Sequence, residues 1–98
     1  MKTLAMEAGP FGIRANAIAP GCVEGARIDA VIEREAAKKK TTSDIIREAY
    51  KSGTSLKTFV NAEDIASMAL FLASDQAIRI SGQVIAVDGH TENPDPKI

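Results

Sequence analysis

The segment that most constrains this chain is Gly9–Gly21, GPFGIRANAIAPG. Gly9-Pro10 interrupts whatever precedes it, and Gly12 permits a second sharp turn. Ile13–Ala19 is a short, mostly apolar run with Arg14 near its start and Asn16 at its centre. It lacks helical spacing and is too short for an independent helix, so it predicts a buried strand. Pro20 has no N–H and cannot continue a central ladder. Gly21 lets a second backbone or a ligand come close. A strand that ends in Pro-Gly and opens into a polar segment has the form of the carboxyl end of a parallel strand, where ligands sit in open α/β sheets. A plain strand-ending turn is the commoner use of Pro-Gly, so the dipeptide by itself does not establish a site.

The flanking residues alternate between helix and turn signals. Met1–Ala8 is rich in helix formers but has no Ser, Thr, Asp or Asn ahead of it as a cap. A helix that short does not hold itself together in water, so further chain is expected upstream. Cys22–Gly25 reads as loop. Ala26 to about Lys39 predicts a helix, with Ile28, Val31 and Ile32 on one face. Lys38–Lys40 gathers at its carboxyl end, where the macrodipole favours cations, and reads as a solvated helix end. Thr41–Asp44 supplies cap residues, with Thr41 and Asp44 at capping-box spacing, ahead of a helix over Ser43–Ser52 that stops at Gly53. Thr54–Val60 is a polar connector that tightens at Leu56 and Phe59. Asn61 caps a third helix, Ala62–Ala73, where Ile65, Met68, Ala69 and Leu72 give the clearest 3.6-residue period in the chain. Gln83–Val87 predicts a second buried strand, ended by Asp88-Gly89. From His90 onward the polar, proline-containing chain reads as an extended tail.

Two strands separated by a long helical connection fit a parallel crossover, since no tight turn offers a hairpin. A parallel pair is normally buried on both faces and flanked by further strands, so these two are expected to be neighbours in a broader sheet. The fold class is therefore α/β. Net charge is −1, from 12 basic and 13 acidic residues, and gives no electrostatic reason to expect nucleic acid or an anionic membrane as partner. No apolar run approaches a membrane span, and the N-terminus lacks the apolar centre of a signal peptide. The single cysteine, Cys22, excludes an internal disulfide and fits a reducing, cytoplasmic setting. A DNA-binding helix pair built from Ser43–Ser52 and Ala62–Ala73 is disfavoured, because the second helix starts acidic and neither offers a basic recognition face.

Two segments carry a resemblance. GPFGIRANAIAPGCV is similar to the stretch of short-chain dehydrogenase/reductases that follows their catalytic Tyr-x-x-x-Lys and runs into the sixth strand. NAEDIASMALFLASDQAIRISGQVIAVDGH resembles that family's last helix and seventh strand. The resemblance implies the C-terminal part of a doubly wound parallel-sheet Rossmann fold, residues 1–90, with a helical substrate lid over residues 24–56 and a tail over 91–98. It implies NAD or NADP as cofactor and hydride transfer to or from a small carbonyl or alcohol substrate. Pro20 and Gly21 would border the nicotinamide. Val23 would offer its backbone N–H and C=O to the carboxamide. Cys22, between them, would face the pocket or pack beneath it. Arg27 and Ile28, at the entry to the lid, would touch substrate, and Arg14 and Asn16 would be structural strand residues. The last helix and strand would form a homo-oligomer interface.

This chain departs from the family pattern at position 25, which is Gly where many members carry a cofactor-contacting Thr. It also departs at position 90, which is His where a second Gly is common. His90 has no second histidine with which to bind a metal, and reads as an exposed tail residue or one near a neighbouring subunit. The glycine-rich phosphate turn, the catalytic Ser and the Tyr-x-x-x-Lys pair are not in these residues. Tyr50 is followed four places on by Thr54, not Lys, so no catalytic residue is assigned and the chain alone is expected not to turn over. The alternative to a dehydrogenase segment is a non-catalytic module that binds an intact homologue.

Overall fold

Ala, Leu, Met, Lys and Glu carry the chain into its first helix, α1 (Lys2–Ala8), in the computed structural model, which describes residues 1–93. Gly9 does not break it. With φ −53° Gly9 stays helical, and the chain tightens into a 3₁₀ turn over Gly9–Phe11. The stop falls at Gly12, whose φ of 74° lies in the left-handed region.

Strand β1 covers Ala17–Pro20, not Ile13–Ala19. The expected first half is held by side chains instead of a ladder. Arg14 donates to the carbonyls of Leu72 (2.7 Å) and Ile80 (3.2 Å). Asn16 donates to Ile80 O (3.0 Å) and accepts from Gln83 N–H (3.1 Å), and Ala15 N–H donates to Ser81 Oγ. These bonds tie the approach to β1 to the approach to β2 (Val84–Val87), so the two strands enter the sheet in fixed register. They pair in parallel, Ala17 with Val84 through Pro20 with Val87. Neighbouring, parallel strands are what the sequence predicts. Pro20 is tolerated as the last strand residue for a geometric reason. Ala17 and Gly21 donate to Gln83 O and Val87 O, so alternation sends the missing N–H of Pro20 away from β2.

Between the strands lie three helices, α2 (Ala26–Lys38), α3 (Ser43–Ser52) and α4 (Ala62–Ala73). Thr42, not Thr41, caps α3, with its hydroxyl accepting from Ile45 N–H (3.3 Å). Asn61 caps α4 as the sequence predicts, and Asp64 completes a capping box there by accepting from Asn61 N–H (2.7 Å). α2 and α3 pack on each other around Ile32, Ala36, Ile46 and Phe59, with Cys22, Ile28 and Tyr50 against that cluster. Arg47 spans the pair, bonding Glu24 (2.7 Å) and Asp29 while its guanidinium lies 5.3 Å from the Phe59 ring centre. The α2–α3 pair thus has a core of its own.

The sheet does not. α4 lies against β1 and β2, yet Val84 is 62% exposed and Leu70 74%, and Phe11, Ile13 and Phe71 are exposed too. The radius of gyration is 17.0 Å over a 55 Å length, whereas a compact chain of this size would have about 13 Å. The sheet and the α2–α3 pair are strung out along one axis, and the apolar surface of the sheet half has no cover among the described residues.

The segment after β2 is not a free tail where it is described. Thr91 pairs antiparallel with Thr54, and Gly53 O accepts from both Glu92 N–H and Asn93 N–H. Residues 94–98 of the expected tail lie outside the described residues.

Candidate functional site

At the carboxyl end of β1 the backbone turns towards α2 through Pro20, Gly21, Cys22 and Val23. Gly21 is there for a close approach. A Cβ at this position would lie 2.7 Å from Asp88 Cβ and 2.8 Å from Asp88 Cα, and its N–H donates to Val87 O (3.0 Å). The close neighbour is therefore the end of β2. The absence of a side chain lets the two strand ends meet and sets the turn against Asp88.

Val23 makes a second, short parallel ladder with Val60. Val60 N–H donates to Cys22 O (3.0 Å) and Glu24 N–H donates to Val60 O (2.9 Å). In such a pairing the middle residue's own polar groups point the other way. Neither the N–H nor the C=O of Val23 has a hydrogen-bond partner among the described residues. One donor and one acceptor thus stand side by side on a half-buried turn, open to water or to a ligand that offers the complementary pair.

Pro20, Gly21 and Cys22 line a cleft of about 300 Å³ together with Tyr50, Asp88 and Asn93. Cys22 lines this cleft and also packs against the cluster of Ile32, Ala36, Ile46 and Phe59. Burial raises its pKa above the ordinary 9.0, so at neutral pH it is a thiol and not a nucleophilic thiolate. Arg27 and Ile28 do not come together. Arg27 is exposed in the first turn of α2, while Ile28 is half-buried against the cluster of Ile32, Ala36, Ile46 and Phe59. Gly25 has φ 151°, a conformation that a Thr would adopt only under strain. Among the described residues no group of His, Cys, Asp and Glu could hold a metal, and no helix is long and apolar enough to cross a membrane.

Sequence reasoning missed Asp88, Thr91 and Asn93 as cleft residues. Asp88 could have been found, because a residue that ends β2 beside the Pro-Gly end of a parallel β1 must border the same crevice. The two that follow it carry no such signal.

The chain resembles known proteins along most of its length. Residues 1–90 match a family model described as Enoyl-(Acyl carrier protein) reductase. A D-beta-hydroxybutyrate dehydrogenase of Rhizobium meliloti (strain 1021) is 35% identical over 89 residues, 90% of this chain and 34% of that protein. Among solved structures, YwfH, an NADPH dependent reductase involved in bacilysin biosynthesis, superposes with a TM-score of 0.81 at 31% identity, covering 96% of this chain and 35% of its own. A 4-hydroxyisoleucine dehydrogenase complexed with NADH gives 0.64 at 32% identity over 91% of this chain and 31% of its own. The chain spans about a third of the length of the curated relatives it matches. Its two parallel strands and its helices correspond to part of a Rossmann fold. With the family model matched from the first residue through the end of the second strand, the chain belongs to the short-chain dehydrogenase/reductase family.

Proposed function

We propose that this chain forms the nicotinamide-side wall and substrate lid of an NAD(P)-dependent oxidoreductase. The observation that carries the reading is the unpaired donor and acceptor of Val23 on a turn at the carboxyl end of a parallel strand. A primary carboxamide offers one acceptor and donors in complementary places. Val23 N–H would donate to the carboxamide oxygen and Val23 C=O would accept from its nitrogen, so that this turn would orient the ring. Pro20, Gly21 and Cys22 border that ring. Bound there, the nicotinamide supplies or takes the hydride that interconverts a carbonyl and an alcohol. The lid, residues 24–56, excludes water from the substrate side, with Arg27 the exposed cation at its entry and Ile28 bracing it from within. The relatives that carry the cofactor in their names include an NADPH dependent reductase and an NADH complex, so both NAD and NADP suit the reading.

The general acid and base come from outside these residues in this account, and the chain alone does not turn over. The uncovered apolar surface supports it. Val84, Ile13 and Phe11 await further strands and helices of the same sheet, while Leu70 and Phe71 on α4 suit a homo-oligomer contact. The same surface also fits a module that docks on an intact homologue, the second reading. The single thiol agrees with a cytoplasmic setting.

Calorimetric titration of the complete protein with NADH and NADPH, before and after Val23→Pro, tests the assignment. Proline deletes the N–H, and loss of one such bond with its geometry weakens binding by about tenfold. Equal affinity for the wild type and Val23→Pro refutes the role of this turn.

A further inference from the structure

The segment Gly89–Asn93 does more than trail from β2. Four backbone bonds connect the region after β2 to the exit of the lid. Ser55 N–H donates to His90 O (2.9 Å) and Leu56 N–H to Gly89 O (3.1 Å), while Gly53 O accepts from Glu92 N–H (2.8 Å) and Asn93 N–H (3.1 Å). Side chains reinforce them. Ser55 Oγ donates to Glu92 Oε1 (3.1 Å) and is hydrogen-bonded to His90 Nδ1. Ser55 has one hydroxyl hydrogen. With that hydrogen on Glu92, its oxygen accepts from Nδ1–H of His90.

Two local features show that this arrangement is enforced. His90 has φ 60°, a left-handed conformation that is uncommon for residues with a Cβ although His enters it more readily than most. Asp88 Oδ1 accepts from His90 N–H (2.9 Å), so this residue is clamped from both sides. Gly53 is not left-handed, with φ −76°, yet a Cβ on it would overlap the carbonyl oxygen of Asn93. It is glycine because the segment lies against it. Thr91 and Asn93 then complete the cleft beside Pro20, Gly21 and Cys22.

We propose that Gly89–Asn93 is a latch that holds the lid exit, residues 53–56, and supplies the cleft wall opposite the Pro20–Cys22 turn. Ser55 and His90 are its positioning residues. Lid position and cleft shape are thereby set by one segment, made of the strand terminator Gly89 and of residues that read in the sequence as an extended tail from His90 onward. The inference rests on the cofactor reading only for what the cleft holds.

Amide hydrogen exchange on the full chain tests it without any cofactor, so its failure and failure of the nicotinamide assignment are separable. The variants are Ser55→Ala, which removes both side-chain contacts, His90→Asn, which tolerates the left-handed backbone but loses the imidazole, and Gly53→Ala. Exchange at Ser55, Leu56 and Glu92 is expected to accelerate on the order of five- to tenfold in each. The amides of Ile46 and Val60, bonded to Thr42 O and Cys22 O within the lid and its stem, keep their rates. Unchanged exchange at Ser55 and Leu56 overturns the latch. So does equal acceleration at Ile46 and Val60, which would show that the segment opens only with the whole chain.

Discussion

Replacing Gly21 by alanine tests the meeting of the two strand ends directly. The new Cβ would sit 2.7 Å from Asp88 Cβ and 2.8 Å from Asp88 Cα. Comfortable carbon–carbon contact begins at about 3.5 Å, so the ends must separate by roughly 1 Å. Neither neighbour is the far end of a flexible side chain, because both are fixed to β2. Separation stretches the last rung of the ladder, Gly21 N–H to Val87 O, now 3.0 Å. Overpacking of this kind costs about 1–3 kcal/mol. Gly9→Ala is the matched control. Gly9 has a helical φ of −53° and nothing within 4 Å of its would-be Cβ, so alanine there stabilises by about 0.4–1 kcal/mol through the unfolded chain. Urea titration of both variants, followed by circular dichroism, should move the two midpoints in opposite directions at unchanged slope. If Gly21→Ala unfolds at the wild-type midpoint, the strand ends are not in contact and the cleft is not built as described.

Three further outcomes are expected. Ile46→Ala, at the fully buried centre of the lid, should cost about 2–5 kcal/mol, read by fluorescence of Tyr50, the only tyrosine in a chain without tryptophan. Arg47→Ala should cost about 1 kcal/mol, since exposed ion pairs give little and the Phe59 contact adds a similar amount; in urea titrations at high salt only the part due to Glu24 and Asp29 should shrink. Burial raises the Cys22 pKa from 9.0, so the native state holds this proton more tightly than the unfolded one. The resulting stability is complete below pH 9 and is lost as pH rises through the higher native value; Cys22→Ala should flatten that alkaline decline in a pH series of urea titrations.

How much could be read from the residues depended on how far apart the interacting groups lie in sequence. α4 was legible to the residue because Asn61, Asp64 and the apolar stripe act within one or two turns. So was the pairing of β1 with β2, which follows from connection length and the absence of a hairpin. The start of β1 was not. Arg14 and Asn16 bind carbonyls 58 to 66 residues away, and no local pattern announces that a polar side chain will replace a ladder. The Pro20–Val23 turn could be singled out as a candidate, but the orientation of Val23 depends on Val60, which reads only as the end of a connector. His90 was read as tail for the same reason, since its partner Ser55 lies on the far side of α4 and β2 in sequence.

The short ladder between Val23 and Val60 closes everything between them into a loop that carries its own packed centre. Such a loop can be rewritten without disturbing the strands beneath it, provided the two stem residues still meet. Helical segments of different shape could thus be exchanged at positions 23 and 60 while the sheet end stays as it is. The end of such a segment would still have to accept the residues that follow β2, so it must also bring a residue as small as Gly53 to the place where Asn93 crosses.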